Sequence, residues 1–399
     1  MDAAAFAASP VGHLVDIHGT DGGSGREYSA VAFVPDPLGK EPTLSGETWR
    51  AVSRAGHALG RLHQAGRQVP EPGLLRRPTL RREAQSTSAL EGTFAPLEKV
   101  LAAGAESEPA ASAELIEVLN YVSAAEDAFS WLEEGRSLSV GMLEDVQARL
   151  VFGTVADTAE AGRVRGIQVA IGTRGGDLES ARFVPPPPGQ DLAIALRDLV
   201  DWIRSGAGRD PVVAAAQAHY QFETLHPFND GNGRIGRLLV VLQLLMDGVL
   251  EDSLLSISPW FEQRRRDYQD HLLDVSLNGD WDGWVRFFAH GVEASALDTA
   301  RRVDALLAVQ ERYLGLVRDA GVSGLARDIA ESLIAYPYLD VPATVQRTGR
   351  TAQAVHNAMT RLVELGVLTE RAGRGRRRRF TAQAVVDVLT ARELPVLRK

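Results

Sequence analysis

The stretch His226-Pro227-Phe228-Asn229-Asp230-Gly231-Asn232-Gly233-Arg234-Ile235-Gly236-Arg237 carries most of the information in this chain. It brings together a histidine, a carboxylate, a glycine-rich turn and two arginines, and an apolar run from Leu238 to Met246 follows it. Glycines let backbone N–H groups turn inward, and the N-terminus of a helix adds partial positive charge. The stretch therefore predicts an anion-binding site at the start of a buried helix.

The side chains of the same stretch suit phosphate chemistry. Arg234 and Arg237 lie three residues apart, hence on one helix face, where both guanidinium groups can bind phosphate oxygens. Asp230 offers an oxygen ligand to Mg2+, which prefers one or two carboxylates together with substrate phosphates. Histidine has the ordinary pKa range of a general base, which suits His226 just outside the turn. These residues indicate phosphoryl-group chemistry on a nucleotide. The alternative is a glycine-rich turn with a buried histidine and surface arginines.

The stretch resembles the signature of the Fic family, His-x-Phe-x-Asp/Glu-Gly-Asn-Gly-Arg-x-x-Arg, at every defined position. Most members of that family transfer AMP from ATP to a hydroxyl side chain of a target protein. The resemblance implies a mostly α fold, a Fic helical-bundle core with a β-hairpin flap. It implies that His226 deprotonates the target hydroxyl, that Asp230 holds Mg2+ and that Phe228 anchors the loop in the core. The nucleotide contacts that it implies are Gly231, Asn232, Gly233, Arg234, Ile235, Gly236 and Arg237.

Composition limits the class of protein. A chain of 399 residues with 45% hydrophobic content can form two or three domains. It contains no cysteine, which excludes disulfides, thiolate metal sites and cysteine nucleophiles. The net charge of -9 argues against a protein coated by nucleic acid. Apolar runs are too short for a membrane span, and the first five residues lack the order of a signal peptide. We therefore expect a cytoplasmic protein.

Apolar periodicity predicts helices behind an irregular lead-in. Residues 1 to about 45 are rich in glycine and proline; 18–25 is predicted to be a loop and 30–34 a short apolar segment. Helices are predicted over 47–65, 114–132, 139–151, 190–205, 211–224, 237–247, 259–276 and 281–291. Pro70, Pro72 and Pro78 are expected to prevent continuous helix after the first of these.

A second stretch, Glu83 to Thr93, matches the inhibitory signature of Fic proteins, Ser/Thr-x-x-x-Glu-Gly/Asn, with Thr87 and Glu91 at its defined positions. In the family this glutamate pairs with the second arginine of the motif, here Arg237, and displaces the γ-phosphate. The resemblance thus implies autoinhibition by a helix at about 83–93. The spacing alone also fits an ordinary helix start, because capping boxes look similar.

Residues 166–185 contain two short apolar runs around a turn with Gly175 and Gly176, which predicts a hairpin. In Fic proteins a flap at this place pairs with the target segment, a form of strand addition. The alternative is a plain surface hairpin. After the motif, Tyr268 is the candidate for contact with adenine or ribose, again by resemblance. The aromatic residues at 281–288 are expected to be core.

The C-terminal segment is predicted to be a separate unit. Three helices, over 322–336, 342–348 and 351–365, precede two short strands around a basic tip at 372–378. This pattern resembles a winged helix-turn-helix, and its arginines could reach DNA phosphates. Thr351 is expected to cap the third helix. The alternative role is dimerisation or target recruitment, because the predicted recognition helix carries few cations (Arg361, with His356) and the chain is acidic overall.

These observations predict three regions: an N-terminal one over 1–105, a Fic catalytic domain over 106–295, and a linker helix with a winged-helix domain over 296–399. The predicted activity is AMP transfer from MgATP to Ser, Thr or Tyr of a protein, including the chain itself. Left open are removal of AMP at the same site with Glu91 orienting a water, transfer of UMP, phosphate or phosphocholine, and a DNA-binding regulator whose Fic core senses nucleotide. A homodimer is also left open.

Overall fold

The structure is a computed structural model. It describes all residues except 21–24, 26, 40, 68–72, 106–110, 174–177, 207, 373–377 and 393–399. The helices are α1 (Ala3–Phe6), α2 (Gly46–Arg67), α3 (Gly73–Leu90), α4 (Leu97–Ala102), α5 (Ala113–Glu133), α6 (Val140–Val151), α7 (Gln190–Ser205), α8 (Pro211–Leu225), α9 (Asn232–Met246), α10 (Ser258–Gln263), α11 (Arg265–Asn278), α12 (Trp281–Asp319), α13 (Leu325–Ser332), α14 (Val341–Thr348), α15 (Ala352–Glu364) and α16 (Gln383–Thr390). The strands are β1 (Gly12–Thr20), β2 (Glu27–Pro35), β3 (Tyr338–Asp340), β4 (Thr369–Ala372) and β5 (Arg378–Thr381). The expected mostly α fold is confirmed.

The chain folds into two compact units, each made of separate stretches. The first unit contains residues 1–58, 120–251 and 260–294, and the second contains 59–119, 252–259 and 295–399. The three predicted regions follow the chain linearly, whereas these units do not. The predicted boundaries at 105/106 and 295/296 therefore stay predictions.

The first unit is centred on α8, which packs against α7 and α9. Asp210 caps α8 by accepting hydrogen bonds from Val212 N and Val213 N, and Pro211 occupies the first turn, where its missing donor is tolerated. Almost every residue of α8 is buried, as expected of a helix surrounded by others. Because α8 and α9 are buried and pack together, both ends of the connection between them, residues 226–231, are held in place.

The predicted loop at 18–25 is wrong in its first part. Residues 18–20 end β1, which pairs antiparallel with β2 from Gly12 opposite Pro35 to Thr20 opposite Glu27. Glycine and histidine have low or moderate strand propensity, so the alternation expected of a strand is weak here. The hairpin is fixed by tertiary contacts instead, since Phe33 N donates to Val184 O at 2.9 Å.

Pro78 lies inside α3, so the expectation that it interrupts the helix is wrong. An interior proline costs about 3 kcal/mol because it removes one backbone hydrogen bond. Contacts within the second unit oppose this cost. Arg81 donates to Val100 O, and the buried Glu83 carboxylate accepts from Ser256 Oγ and Ser258 N, both at 3.0 Å. Pro70 and Pro72 lie outside the described residues.

Four predicted helices differ from the structure by more than two residues. The helix predicted over 322–336 is shorter at both ends, α13 (Leu325–Ser332). The predicted helix 259–276 is divided into α10 and α11, with Arg264 (φ -123°, ψ 31°) between them. Helix α9 begins at Asn232 rather than 237, and α12 continues well past Gly291. A Cβ at Gly291 would lie 2.9 Å from the Trp260 ring, so this glycine permits close packing and does not end the helix.

The C-terminal part of the second unit has the predicted helices and the predicted pair of strands. A strand that was not predicted, β3, joins them, giving a sheet of order β3-β5-β4 with antiparallel neighbours. Thr351 caps α15 by accepting from Ala354 N at 3.3 Å, as predicted, and Asp340 caps α14. The basic tip at 373–377 lies outside the described residues. The assignment of a winged helix stays a prediction.

Among the helices of the described ranges, none combines the length and apolar character needed to cross a bilayer.

Candidate active site

His226 follows the last residue of α8 and adopts a left-handed conformation, φ 48° and ψ 58°. Among the described residues it is the one residue other than glycine with positive φ. Histidine tolerates this region better than bulky or β-branched residues do, and the following Pro227 disfavours a continued helix at His226. The chain therefore turns sharply at the histidine, which ends α8.

The ring of His226 is oriented by the helix that precedes it. Nδ1 lies 3.3 Å from the carbonyl oxygen of Glu223. A carbonyl can only accept a hydrogen bond, so Nδ1 carries the proton in this contact. The neutral ring then has its lone pair on Nε2, which is the form that a general base requires.

The connection between α8 and α9 is closed by Asn232. Its Nδ2 donates to Phe228 O at 2.7 Å, and its Oδ1 accepts from Phe228 N at 2.9 Å. Asn232 is 2% exposed and Phe228 0%. The burial of Phe228 confirms its expected anchoring role. The Asn232 side-chain amide binds the Phe228 backbone and so shapes the loop, and its expected contribution to phosphate binding stays a prediction.

Gly231 precedes α9 with φ 87° and ψ 3°, a conformation that favours glycine. A Cβ at this position would lie 2.5 Å from Leu150 Cδ2, so the leucine side chain would have to shift to admit it. The N–H groups of the first helical turn have no partner inside the helix. The first turn of α9 therefore has the character of an anion site, and the expected phosphate contacts of Gly231 and Gly233 stay predictions.

Asp230 and the two arginines of the motif lie at this same helix start. Asp230 Oδ1 accepts from Gly231 N at 2.5 Å and from Arg234 Nη2 at 3.0 Å, and the side chain is 47% exposed. Arg234 and Arg237 are 3% and 1% exposed. Arg234 is thus buried beside the one carboxylate of the turn, which remains half open to solvent.

Ile235 and Gly236 take part in packing. Ile235 is 1% exposed. A Cβ at Gly236 would collide with the carboxylate of Glu223 and lie 3.2 Å from the Phe222 ring, both on α8. Gly236 therefore allows α8 and α9 to approach closely, and its expected nucleotide contact stays a prediction.

Tyr268 lies in an aromatic cluster beneath α8. It is 4% exposed, stacks on Phe261 at 4.8 Å, and its hydroxyl lies 2.7 Å from Nε2 of the buried His219. Burial lowers the pKa of His219 to about 3, which keeps the ring neutral. Of the aromatic residues at 281–288 that were expected to be core, Trp284 and Phe288 are fully buried, whereas Trp281 and Phe287 are half-buried. The expected contact of Tyr268 with a base or ribose stays a prediction.

The predicted flap, residues 166–185, contains one antiparallel bridge in its described part. Ile171 N donates to Phe183 O at 2.8 Å, and Phe183 N donates to Ile171 O at 3.1 Å. The Phe183 ring packs against Phe6 and Phe33, with centroids 5.9 Å apart in both pairs. The tip at 174–177 lies outside the described residues.

The predicted inhibitory segment lies in the second unit. Thr87 is fully buried, and Glu91 is exposed one residue after α3 ends. Gly92 has φ 95°, and Thr93 N donates to Ser88 O at 3.0 Å. This is the geometry of a Schellman cap, with the glycine just past the helix. The alternative that this stretch starts a helix is therefore wrong. The pairing of Glu91 with the motif stays a prediction.

Two residues at the site were not predicted. Gln147 of α6 donates from Nε2 to Asp230 O at 3.2 Å and accepts from Gly162 N at 2.5 Å. Arg165 donates from Nε to His226 O at 2.8 Å. Both act on backbone carbonyls far away in sequence, and such contacts leave no periodic pattern in a single chain.

Comparisons with known proteins agree with the motif. Residues 49–130 match the Fic/DOC family N-terminal model, and residues 137–244 match the Fic/DOC family model. The chain is 38% identical over 149 residues to the protein adenylyltransferase fic-1 of Caenorhabditis elegans, a match that covers 37% of this chain and 26% of that protein. It is 38% identical over 147 residues to the protein adenylyltransferase Fic of Drosophila willistoni, covering 36% and 26%.

The matched region thus spans about a quarter of the length of these curated relatives. Among solved structures, a Fic family protein from Desulfovibrio desulfuricans G20 has a TM-score of 0.56 and 23% identity, covering 86% of this chain and 98% of that one. This likeness shows the fold. The chain thus carries a segment that matches the Fic/DOC N-terminal model, followed by a segment that matches the Fic/DOC model and contains the motif.

Proposed function

We propose that this chain is a protein adenylyltransferase that transfers AMP from MgATP to a Ser, Thr or Tyr hydroxyl of a protein, including the chain itself. The observation that carries the proposal is the left-handed His226, which stands directly ahead of the anion-binding start of α9. The Fic/DOC family model matches residues 137–244, which contain this segment, and relatives named protein adenylyltransferase are 38% identical to the chain over 149 and 147 residues. A cytoplasmic location, expected from the sequence, is part of the proposal.

The base in this reaction is Nε2 of His226. The contact of Nδ1 with Glu223 O places the ring proton on Nδ1, which leaves the lone pair on Nε2. Nε2 takes the proton from the target hydroxyl, and the hydroxyl oxygen bonds to the α-phosphorus of ATP. The bond from that phosphorus to the oxygen bridging the α- and β-phosphates breaks, and pyrophosphate leaves. The product is a phosphodiester between AMP and the protein.

Groups at the start of α9 stabilise the negative charge on the phosphates. The amides of residues 232–234 and the dipole of the helix face the anion, and Arg234 and Arg237 lie on the same helix turn. Preorganised donors of this kind supply most of the rate in phosphoryl transfer.

The donor set also fits Mg2+. Asp230 is a half-exposed carboxylate, and Mg2+ commonly takes one carboxylate with phosphate oxygens and water. Its Oδ1 is held by Gly231 N and Arg234 Nη2, which orients the group. A bound Mg2+ would neutralise charge on the phosphates. Asp230 would hold it at the N-terminal end of α9.

The test is label transfer from α-labelled ATP to protein, combined with the mass of the product. His226→Ala should lower transfer by on the order of 10^2 to 10^4-fold while ATP binding is retained. His57→Ala, an exposed histidine of α2 in the same unit, should leave transfer unchanged. Near-normal transfer by His226→Ala would show that the assigned chemistry is wrong. Loss of AMP from a modified protein, without addition, would favour the hydrolase.

We include autoinhibition by Glu91 and target docking at residues 166–185 in this proposal. The Schellman cap at the end of α3 supports the first, because it gives Glu91 a fixed position just past the helix. The bridge between Ile171 and Phe183 supports the second, because it fixes the base of the flap. An extended target segment would add to its edge by backbone hydrogen bonds.

DNA binding by the C-terminal part is a second, separate proposal. Helix α15 exposes Gln353, Asn357 and Arg361, side chains that can contact base edges or phosphates. Affinity for duplex DNA should fall steeply with salt, because released counterions drive such binding. Replacing residues 376–379, all arginine, with alanine should remove it. No binding at low salt by the unchanged protein would favour recruitment or dimerisation instead.

A further inference from the structure

Arg165 is one of the most deeply buried cations in the described part of the chain, with 1% of its surface exposed. It lies in the short connection between α6 and the flap. Burial lowers its pKa to about 10, so the guanidinium is still charged at neutral pH. No carboxylate of the described residues lies within ion-pair distance of it. Backbone carbonyl oxygens, which accept hydrogen bonds from the guanidinium group, stabilise its charge.

On one side, these carbonyls belong to the two ends of the flap. Nη1 donates to Ile167 O at 3.0 Å, where the flap begins, and Nη2 donates to Pro186 O, just past its end. These two carbonyls lie on opposite sides of the bridge between Ile171 and Phe183, one before it in the chain and one after it. One planar guanidinium therefore fixes the distance between the entry and the exit of the flap.

On the other side, the carbonyls belong to the turn that carries the catalytic histidine. Nε donates to His226 O at 2.8 Å, and Nη2 also lies 3.4 Å from Leu225 O. The backbone N–H of Arg165 donates to Pro227 O at 2.9 Å. Three consecutive carbonyls, 225 to 227, thus accept from this one residue, and the middle one belongs to the residue in the left-handed conformation.

The arrangement needs an arginine. A left-handed histidine is strained and persists only where its surroundings fix it. A buried cation without a carboxylate is expensive, so a packing role alone would favour an apolar side chain. Only a planar group with five donors can reach the carbonyls of residues 167, 186 and 226 at once. A lysine ammonium is a compact charge with fewer donors.

We propose that Arg165 is a positioning residue that holds the base His226 and the target-docking flap in a single arrangement. It sets the distance between the attacking hydroxyl, which the flap presents, and the Nε2 atom that takes its proton. The effect of Arg165 on catalysis rests on the proposed transfer reaction. The hydrogen bonds by which Arg165 couples the flap to the turn at His226 do not depend on that reaction.

The experiment compares Arg165→Met and Arg165→Lys with Arg163→Met, which replaces an exposed arginine of the same connection. Amide hydrogen exchange by mass spectrometry follows peptides covering 167–186 and 222–230, in full-length protein without nucleotide. ATP affinity is measured by calorimetry, and transfer by label from α-labelled ATP. Arg165→Lys keeps the charge and remains informative if Arg165→Met does not fold.

Both Arg165 variants should speed exchange in the two peptides together, while peptides from α7 stay protected. Transfer should fall on the order of 10^2-fold, as misplacement of reacting groups by about 1 Å does. ATP affinity should change by less than about 3-fold, because the anion site at the start of α9 is not contacted by Arg165. Arg163→Met should match the unchanged protein in all three measurements.

Faster exchange in one peptide alone, or uniformly over the whole unit, would overturn the proposal, since either outcome denies a specific coupling. Equal loss of ATP affinity and transfer would also overturn it. If the unchanged protein transfers no label, the proposed function fails, whereas the exchange measurements still decide whether Arg165 couples the two segments.

Discussion

Replacing Asn232 with alanine should destabilise the protein even without nucleotide. The substitution removes two hydrogen bonds to Phe228, of 2.7 Å and 2.9 Å, at a place where both residues are buried. Leaving a buried N–H and a buried C=O unpaired costs about 1–3 kcal/mol each, so the free energy of unfolding should fall by about 2–6 kcal/mol. That is a large part of the stability of an ordinary protein.

The assay is urea unfolding, followed by circular dichroism and by tryptophan fluorescence, because a chain with two compact units need not unfold in one step. Asn229→Ala is the matched control, since Asn229 is exposed in the same turn, and its effect should stay within about 0.5 kcal/mol. Asn232→Asp keeps the acceptor and loses the donor, so it should also destabilise. An unchanged midpoint for Asn232→Ala, together with weaker ATP binding, would refute the reasoning and make the amide a phosphate ligand.

Glu91→Gly should raise self-modification from α-labelled ATP well above that of the unchanged protein; no increase in a folded, ATP-binding variant would remove the autoinhibition proposal. Gly231→Ala should lower the urea midpoint more than Gly248→Ala does. Both glycines have positive φ (87° and 68°), which costs alanine about 1–2 kcal/mol, but only at Gly231 does the new Cβ come within 2.5 Å of Leu150, adding about 1–3 kcal/mol; equal midpoints would contradict this. Stability should fall as pH drops from 6.5 towards 3, because burial lowers the pKa of His219 to about 3 and only the unfolded chain takes up the proton. His219→Gln should flatten that part of the pH profile, measured by urea unfolding; an unaltered profile would exclude His219 as its source.

The helices follow from the sequence where the signals are local. Helix α7 begins and ends at the predicted residues, and α8 and α15 begin where Pro211 and Thr351 predict. Local signals fail where packing decides. Gly291 resembles a helix end, yet it lies inside α12 because a neighbouring ring occupies the space of its missing side chain. Pro78 is tolerated in α3 because tertiary hydrogen bonds hold that helix.

In the candidate site, too, the features set by local sequence could be predicted and those set by tertiary contacts could not. Residues inside the motif could be predicted, since the turn, the helix start and their amides are contiguous in the chain. The roles of individual side chains were harder to predict. The Asn232 amide binds the Phe228 backbone, and Gly236 makes room for Glu223. Arg165 was not predicted at all, because a side chain that binds distant carbonyls needs no particular neighbour in sequence.

The geometry of α3 concerns the two interpretations of Glu91, as an inhibitory residue and as an ordinary helix residue. The helix is closed by Gly92 and by the bond from Thr93 N to Ser88 O, neither of which uses the side chain at 91. A carboxylate at a helix C-terminus is also disfavoured by the helix dipole, by about 0.3–1 kcal/mol. Neither the backbone cap nor the helix dipole therefore depends on the Glu91 carboxylate. A gain of transfer in Glu91→Gly, with the midpoint of urea unfolding unchanged, would indicate removal of a specific inhibitory contact and not general disorder of the segment.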